Sequence, residues 1–135
     1  MQDTCEEYGA RAAAELRTGI DLIEIRRIRR ALKNPRFLQR FFGLNEQAWL
    51  IAAGCQASSV AVNFCAKEAF SKVLGTGIRG FSLREVELLR DDLGKPYLHF
   101  TGRALELVQR SGLVFEASVS HTRHYAVANV IAFRK

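Results

Sequence analysis

The spacing of apolar positions changes along this chain, and each change predicts an element. The stretch ELRTGIDLI, residues 15–23, is short, β-branched toward its end and broken by Gly19, which predicts a strand entering a turn. After it, Leu22, Ile25, Ile28 and Leu32 recur at helical spacing, and Asn34-Pro35 stops that helix. Arg26, Arg27, Arg29 and Arg30 surround its apolar stripe. A long helix is expected over much of Asn45 to Leu74, with Gly54 a point where it can break and Gly75 its end. SLREVELLR and KPYLHF flank the turn-forming DDLG and predict a hairpin. TGRALELVQRSG predicts a short helix with Thr101 as N-cap and Gly112 past its end. Two apolar strands, VFEASVSHT and HYAVANVIAF, follow with TRH as their tight connection. Helices mixed with hairpin-joined strands predict an α+β fold with an antiparallel sheet.

Composition narrows the class. With 135 residues and 48% hydrophobic positions, the chain fits one ordinary domain with a core of its own. Residues 1–17 read as an N-terminal extension and residues 18–135 as the domain. The opening MQDTCEEYGARAAAELR is acidic before it is basic and lacks an apolar segment, so neither a signal peptide nor an anchor is expected there. Gly54, Gln56, Ser58, Ser59 and Asn63 interrupt the most apolar stretch, Trp49 to Ala66, which reads as a buried helix and not a membrane span. Lys and Arg exceed Asp and Glu by 20 to 14, a formal net charge of +6, so acidic partners are expected. The three cysteines match neither zinc spacing nor a disulfide framework and read as free thiols in the cytoplasm.

Turned at about 3.6 residues per turn, the long helix gathers Val62, Cys65, Ala66, Ala69, Phe70 and Val73 on one face and Asn63, Lys67, Glu68, Ser71 and Lys72 on the other. Glu68 and Lys72 are i, i+4 neighbours, which alone describes a surface ion pair. Asp21 reads locally as an N-cap whose capping box Glu24 completes. If Asp21 and Glu68 met, two carboxylates with phosphate oxygens would suit magnesium, Lys72 would complement phosphate charge, and the glycines of GTG would admit a close backbone approach. His121 lies between Ser120 and Thr122, where a hydrogen-bonded turn histidine is the ordinary reading. No GxSxG elbow accompanies it, and HTRH lacks the form of a zinc-protease motif.

The order of the pieces carries more. GIDLIEIRRI, FCAKEAFSKVLGTGI, LLRDDLGKPYLHF and VSHTRHYAVANV, in that order from about Thr18 onward, closely resemble the holo-acyl-carrier-protein synthase family of small 4'-phosphopantetheinyl transferases. The resemblance implies the α+β fold of that family, an antiparallel sheet packed on a long helix, and transfer of phosphopantetheine from coenzyme A to a serine of apo acyl carrier protein. Adenosine 3',5'-bisphosphate would be released, and Mg²⁺ required. It implies that Asp21 and Glu68 hold the metal, that Glu68 and Lys72 are catalytic, and that the serine proton goes to Glu68 or to water on the metal. Gly75, Gly77, Lys95, Pro96, Ser120, His121 and Thr122 would line the coenzyme A groove. Arg27, Arg36 and Phe37 would contact the acidic carrier protein. Members form homotrimers with sites at subunit interfaces, so Asp21 and the KEAFSK helix are expected from different subunits; neither nucleic acid nor membrane is an expected partner.

One departure stands out: Asn63 replaces the arginine of a GRFAAKEA-type run, and Arg79, Arg84 or Arg123 would then have to hold the 3'-phosphate. The alternatives are a degenerate family member that binds coenzyme A or a carrier protein without turnover and, on charge alone, a nucleic-acid-binding module.

Overall fold

The computed structural model describes residues 16–75 and 79–135. Strand β1 (Leu16–Glu24) opens the fold and begins within the stretch assigned to the extension. It leads into α1 (Ile25–Ala31), α2 (Phe37–Phe41), α3 (Leu44–Ala52) and α4 (Ala57–Leu74). A 3₁₀ turn at Leu83–Glu85 then precedes β2 (Val86–Arg90) and β3 (Pro96–Phe100), after which α5 (Gly102–Ser111), β4 (Val114–His121) and β5 (Tyr125–Phe133) complete the chain. One antiparallel sheet has the order β1-β5-β4, and β2 with β3 makes a separate hairpin. No helix among the described residues is long and apolar enough to cross a membrane.

The sheet lies on α4 because its inner positions are small. Ala126, Ala128, Val130 and Ala132 alternate inward along β5 and are fully buried, while Gly19 pairs with Val130 from β1. A β-carbon on Gly19 would stand 2.2 Å from the Ala69 carbonyl oxygen and 2.8 Å from Val73 Cγ2. Only glycine lets the strand backbone touch the helix there. The expected long helix does break, at Gly54 (φ 87°) and Cys55 (φ 50°), into α3 and α4.

The polar face of α4 is not a solvated face, contrary to its pattern. Asn63, Lys67 and Ser71 are buried; strand β2 packs on this part of α4, and Glu46 of α3 bonds to Asn63 and Lys67. The Lys67 ammonium is fully buried and donates to Glu46 Oε1, to the Leu83 carbonyl (3.1 Å) and to the Val86 carbonyl. Glu46 Oε2 accepts from Asn63 Nδ2 (2.9 Å) and the Leu88 amide (3.1 Å). Arg90, stacked 4.0 Å over the Trp49 ring, donates to Asn63 Oδ1 at 2.8 Å and carries the network outward. Among the described residues no buried side-chain polar atom lacks a partner. Burial raises the Glu46 carboxyl pKa and lowers that of the Lys67 ammonium, and each partner's charge opposes the other's shift.

Local caps also differ from the pattern. Asp21 stands inside β1, opposite Ala128, and not at a turn. Glu24 occupies the N-cap of α1 without a side-chain capping bond, so no capping box starts that helix. The box forms instead at Ser82 and Glu85; Thr101 holds the expected N-cap position of α5, but the bond to the Arg103 amide (2.6 Å) comes from the Glu85 carboxylate and not from the Thr101 side chain.

Two stability outcomes follow. Gly19→Ala forces a backbone overlap, so urea unfolding should lose about 1–3 kcal/mol or more. Lys67→Met strands a buried carboxylate and should cost about 3–5 kcal/mol, while Lys67→Met with Glu46→Leu should recover a large part of that loss. Equal loss in the single and double variants would show that the ion pair does not set the cost.

Candidate functional site

Where β1 crosses α4, the close contact at Gly19 brings two acidic side chains and one basic one together. Asp21 lies two residues beyond Gly19, so both point to the helix side of the sheet. From α4, Lys72 Nζ donates to the Ile20 carbonyl (2.8 Å) and to Asp21 Oδ1 (3.3 Å). Asp21 is mostly buried, with 18% of its side chain exposed, while Lys72 remains 54% exposed. Glu68, one helical turn before Lys72, is half-buried. Its carboxyl pKa is raised, first by burial and then by the nearby Asp21 charge, while Lys72 pulls it down. Asp21 and Glu68 are therefore close enough to repel, with Lys72 easing that repulsion.

Beneath them lies Cys65, fully buried, its thiol donating to the Ala126 carbonyl at 3.5 Å. Burial, reinforced by Asp21 and then Glu68, pushes this thiol far above the ordinary cysteine range, so it is an apolar floor and not a nucleophile. Among the described residues no three His, Cys, Asp or Glu side chains form a metal cage. Two carboxylates with an open side suit a hard cation that takes its remaining ligands from water and phosphate, and the donor set fits Mg²⁺.

The lysine contact corrects one expectation: Asp21 and Lys72 meet within a single chain, so no second subunit is needed to pair them. The other candidates are distributed around this cluster. Gly75 caps α4 in the left-handed region (φ 76°), its amide donating to the Lys72 carbonyl. Gly77 lies outside the described residues. His121 pairs with Ala126 and Val119 with Ala128, so His121 extends the face that carries Asp21, at the exposed end of the sheet. Ser120 points to the opposite face, and Thr122 Oγ1 accepts from the Tyr125 amide (3.2 Å) in the turn after β4. Lys95 and Pro96 lie on the hairpin, where Lys95 pairs with Glu116 at 3.2 Å; no described bond links them to Asp21, Glu68 or Lys72.

Two further readings change. Phe37 is not a surface anchor: it is 9% exposed and packed against Phe41, Phe42 and Phe64, so it holds α2 in place. Arg27 and Arg36 are exposed. Asn63 faces the interior, bonded to Glu46, Leu88 and Arg90, so an arginine built there would enter the core network. The pattern missed Glu46 and its pairing with Lys67, because a lone acidic residue in a mixed helix carries no signal of burial.

Several proteins are similar to this chain. A holo-[acyl-carrier-protein] synthase of Alkaliphilus metalliredigens is 46% identical over 117 residues, covering 84% of this chain and 95% of its own. The crystal structure of holo-[acyl-carrier-protein] synthase from Neisseria meningitidis superposes with a TM-score of 0.82 at 31% identity, covering 87% of this chain and 98% of that one. A Bacillus anthracis holo-(acyl-carrier-protein) synthase solved in complex with CoA (3',5'-ADP) gives a TM-score of 0.73 at 34% identity, covering 88% and 96%. Residues 17–129, spanning Asp21, the whole of α4 and most of β5, match the 4'-phosphopantetheinyl transferase superfamily, and the chain belongs to that family.

Proposed function

We propose that this chain transfers the 4'-phosphopantetheine group of coenzyme A to a serine of apo acyl carrier protein, releasing adenosine 3',5'-bisphosphate. The observation that carries the reading is the gathering of Asp21, Glu68 and Lys72 where β1 crosses α4, on the fold of the holo-acyl-carrier-protein synthases. In the step, the serine oxygen bonds to the phosphorus bearing the pantetheine, the bond from that phosphorus to the bridging oxygen breaks, and the serine proton leaves. Asp21 and Glu68 would hold Mg²⁺, which when bound neutralises pyrophosphate charge. Lys72, fixed on one side by Asp21 and the Ile20 carbonyl, keeps a donor for a phosphate oxygen. Glu68 stands beside the reacting groups and would accept the serine proton. Catalysis here is alignment plus electrostatics, with no covalent protein intermediate.

The reading extends to the surroundings. Gly75, Gly77, Lys95, Pro96, Ser120, His121 and Thr122 line the coenzyme A groove, and Arg27 with Arg36 contacts the carrier protein in the cytoplasm. The chain works as a homotrimer, for which the outer face of the sheet supplies a surface: Leu16, Ile20, Leu22, Tyr125 and Ile131 are all exposed there. Asn63 was the reason to consider a binder without turnover, and its place in the core removes that reason.

Three outcomes test the reading. Intact mass of apo acyl carrier protein, after incubation with the protein, coenzyme A and Mg²⁺, should show a phosphopantetheine gain that chelator abolishes; Glu68→Gln should lower the rate by about 10²–10⁴-fold and Lys72→Met by about 10²-fold. No gain with any carrier, despite coenzyme A binding, would overturn it. Because a raised carboxyl pKa favours the protonated form, the ionised Glu68 needed for metal and proton transfer is lost at a higher pH than for an ordinary glutamate. Carbon NMR titration of Glu68 in the metal-free protein should find its midpoint moved up further in Lys72→Met and down in Asp21→Asn; the reverse order would refute the charge arrangement. Ile20→Glu with Leu22→Glu should shift the sedimenting mass to the monomer, and an unchanged mass would exclude this face as the subunit contact.

A further inference from the structure

The amino end of α3 has no cap of its own, because Gly43 occupies the N-cap position without a side chain to offer. The carboxylate of Glu87, from strand β2, takes that place: Oε2 accepts the Glu46 amide at 2.6 Å, and Oε1 accepts from Asn45 Nδ2 at 3.1 Å. Glycine at 43 admits it, since a β-carbon there would stand 2.5 Å from the Glu87 carboxyl carbon. Directly across the hairpin, His99 on β3 brings its Nδ1 to 3.2 Å from Glu87 Oε1. A carboxylate only accepts, so this ring nitrogen is the donor. Glu87 is buried, whereas the His99 side chain is 43% exposed.

The capped segment is also the one that holds Lys67. Phe42, one residue before the cap, lies with its ring 5.0 Å from the Lys67 ammonium. Glu46, whose amide Glu87 accepts, gives its own carboxylate to Lys67 and to the Leu88 amide. Lys67 donates in turn to the carbonyl of Val86, the neighbour of Glu87 in the chain. The circuit is closed: Glu87 to Glu46, Glu46 to Lys67, Lys67 to Val86, and Val86 to Glu87 through the peptide bond. Strand β2, α3 and α4 are therefore locked together at one point. Burial lowers the Lys67 pKa, while Glu46 and then the Glu87 charge oppose that shift.

Lys67 precedes Glu68, so the circuit sets the direction in which Glu68 leaves the helix. A rotation of α4 by about 10° would carry a side-chain tip about 6 Å from the axis through roughly 1 Å. A displacement of that size at a reacting centre costs up to about a hundredfold. We propose that Glu87 is a positioning residue for Glu68, acting through Glu46 and Lys67, and that His99 fixes the Glu87 carboxylate in the orientation that closes the circuit. This rests on the transferase reading above. Capping alone would be met by Ser or Asp at position 43, the ordinary choice. A carboxylate brought from β2 instead couples α3 to the hairpin, and does so at the residue that holds Lys67. Neither Glu87 nor His99 makes a described bond to Asp21, Glu68 or Lys72, so neither is a catalytic residue.

The test uses the full chain with His99 as the handle, since it can be changed without emptying the interior. His99→Leu removes the donor to Glu87, and His99→Gln restores one on a flexible side chain. Lys67→Met with Glu46→Leu cuts the circuit. Steady-state transfer to apo acyl carrier protein is followed over a range of Mg²⁺, and the carboxyl carbon NMR signal of Glu68 is recorded in the metal-free protein at one pH. His99→Leu should lower kcat by about tenfold and raise the Mg²⁺ needed for half-maximal rate, while the KM values for coenzyme A and carrier stay within about twofold. It should also move the Glu68 signal. His99→Gln should return kcat to within about twofold of wild type and the signal to its wild-type position. In the cut background, His99→Leu should change neither. A lower melting temperature with kcat, Mg²⁺ dependence and Glu68 signal unchanged overturns the proposal and leaves Glu87 a helix cap only. An equal loss in the cut background overturns it too, because the effect then bypasses Lys67. A rise in the coenzyme A KM alone overturns it as well and gives His99 to the substrate groove. Failure of the transferase reading shows separately: wild type that modifies no carrier, with a Glu68 signal that moves in His99→Leu and returns in His99→Gln, sinks the transferase and leaves the positioning role standing.

Discussion

The structure depends on one close contact, the backbone of β1 at Gly19 lying against the carbonyl of Ala69 in α4. A strand normally stands off a helix by the thickness of side chains, about 10 Å between axes. Here glycine on β1 and the alanines of β5 remove that thickness. Two residues beyond the contact, Asp21 therefore reaches the same space as the helix side chains of Glu68 and Lys72. A larger residue at position 19 would move the carboxylates apart before altering either of them. The meeting of Asp21, Glu68 and Lys72 is in that sense a property of a residue with no side chain.

A helix pressed so closely against a sheet on one side needs restraint on the other, and α4 obtains it from charge. Lys67, adjacent to Glu68, is buried among one carboxylate and two carbonyls, and the network continues through Asn63 and Arg90 to the Trp49 ring. Removing two ions from water costs several kcal/mol each, and their attraction repays this only when every remaining donor and acceptor is satisfied. That condition is met among the described residues. The arrangement favours one rotation of α4 about its axis, because any other would strand Lys67 or Glu46. Rotation is what decides whether Glu68 faces Asp21.

How much of this was legible in the sequence differs by kind of information. Strand and helix identities followed from periodicity, since alternation in VFEASVSH and YAVANVIAF and the stop at Gly75 are local signals. The pairing of Asp21 with Lys72 was not local: it spans 51 residues, and motif order brought the two to one site but expected them from different subunits. Phe37 and Asn63 were misplaced for different reasons. The resemblance put Phe37 at a partner surface, whereas it joins an aromatic cluster built by α2 and α4; polarity put Asn63 on the outer face of its helix, whereas it is retained in the core because Glu46 and Arg90 satisfy it. The arginines of α1 show the opposite limit. Their excess was plain, whereas its partial neutralisation was not, since Glu24 was expected to cap the helix and instead holds Arg26.

That neutralisation matters for a protein whose net charge is +6. Uniform positive charge would attract any polyanion, nucleic acid included, and would discriminate little. Local neutralisation sharpens it. Arg26 is bound to Glu24 and Lys95 to Glu116, Lys67 is enclosed by Glu46, and Lys72 is shared with Asp21. The cations left facing outward on α1 and its neighbouring turn are then few, and they are held on fixed backbone. The outward charge on this side of the molecule is then a pattern and not a field.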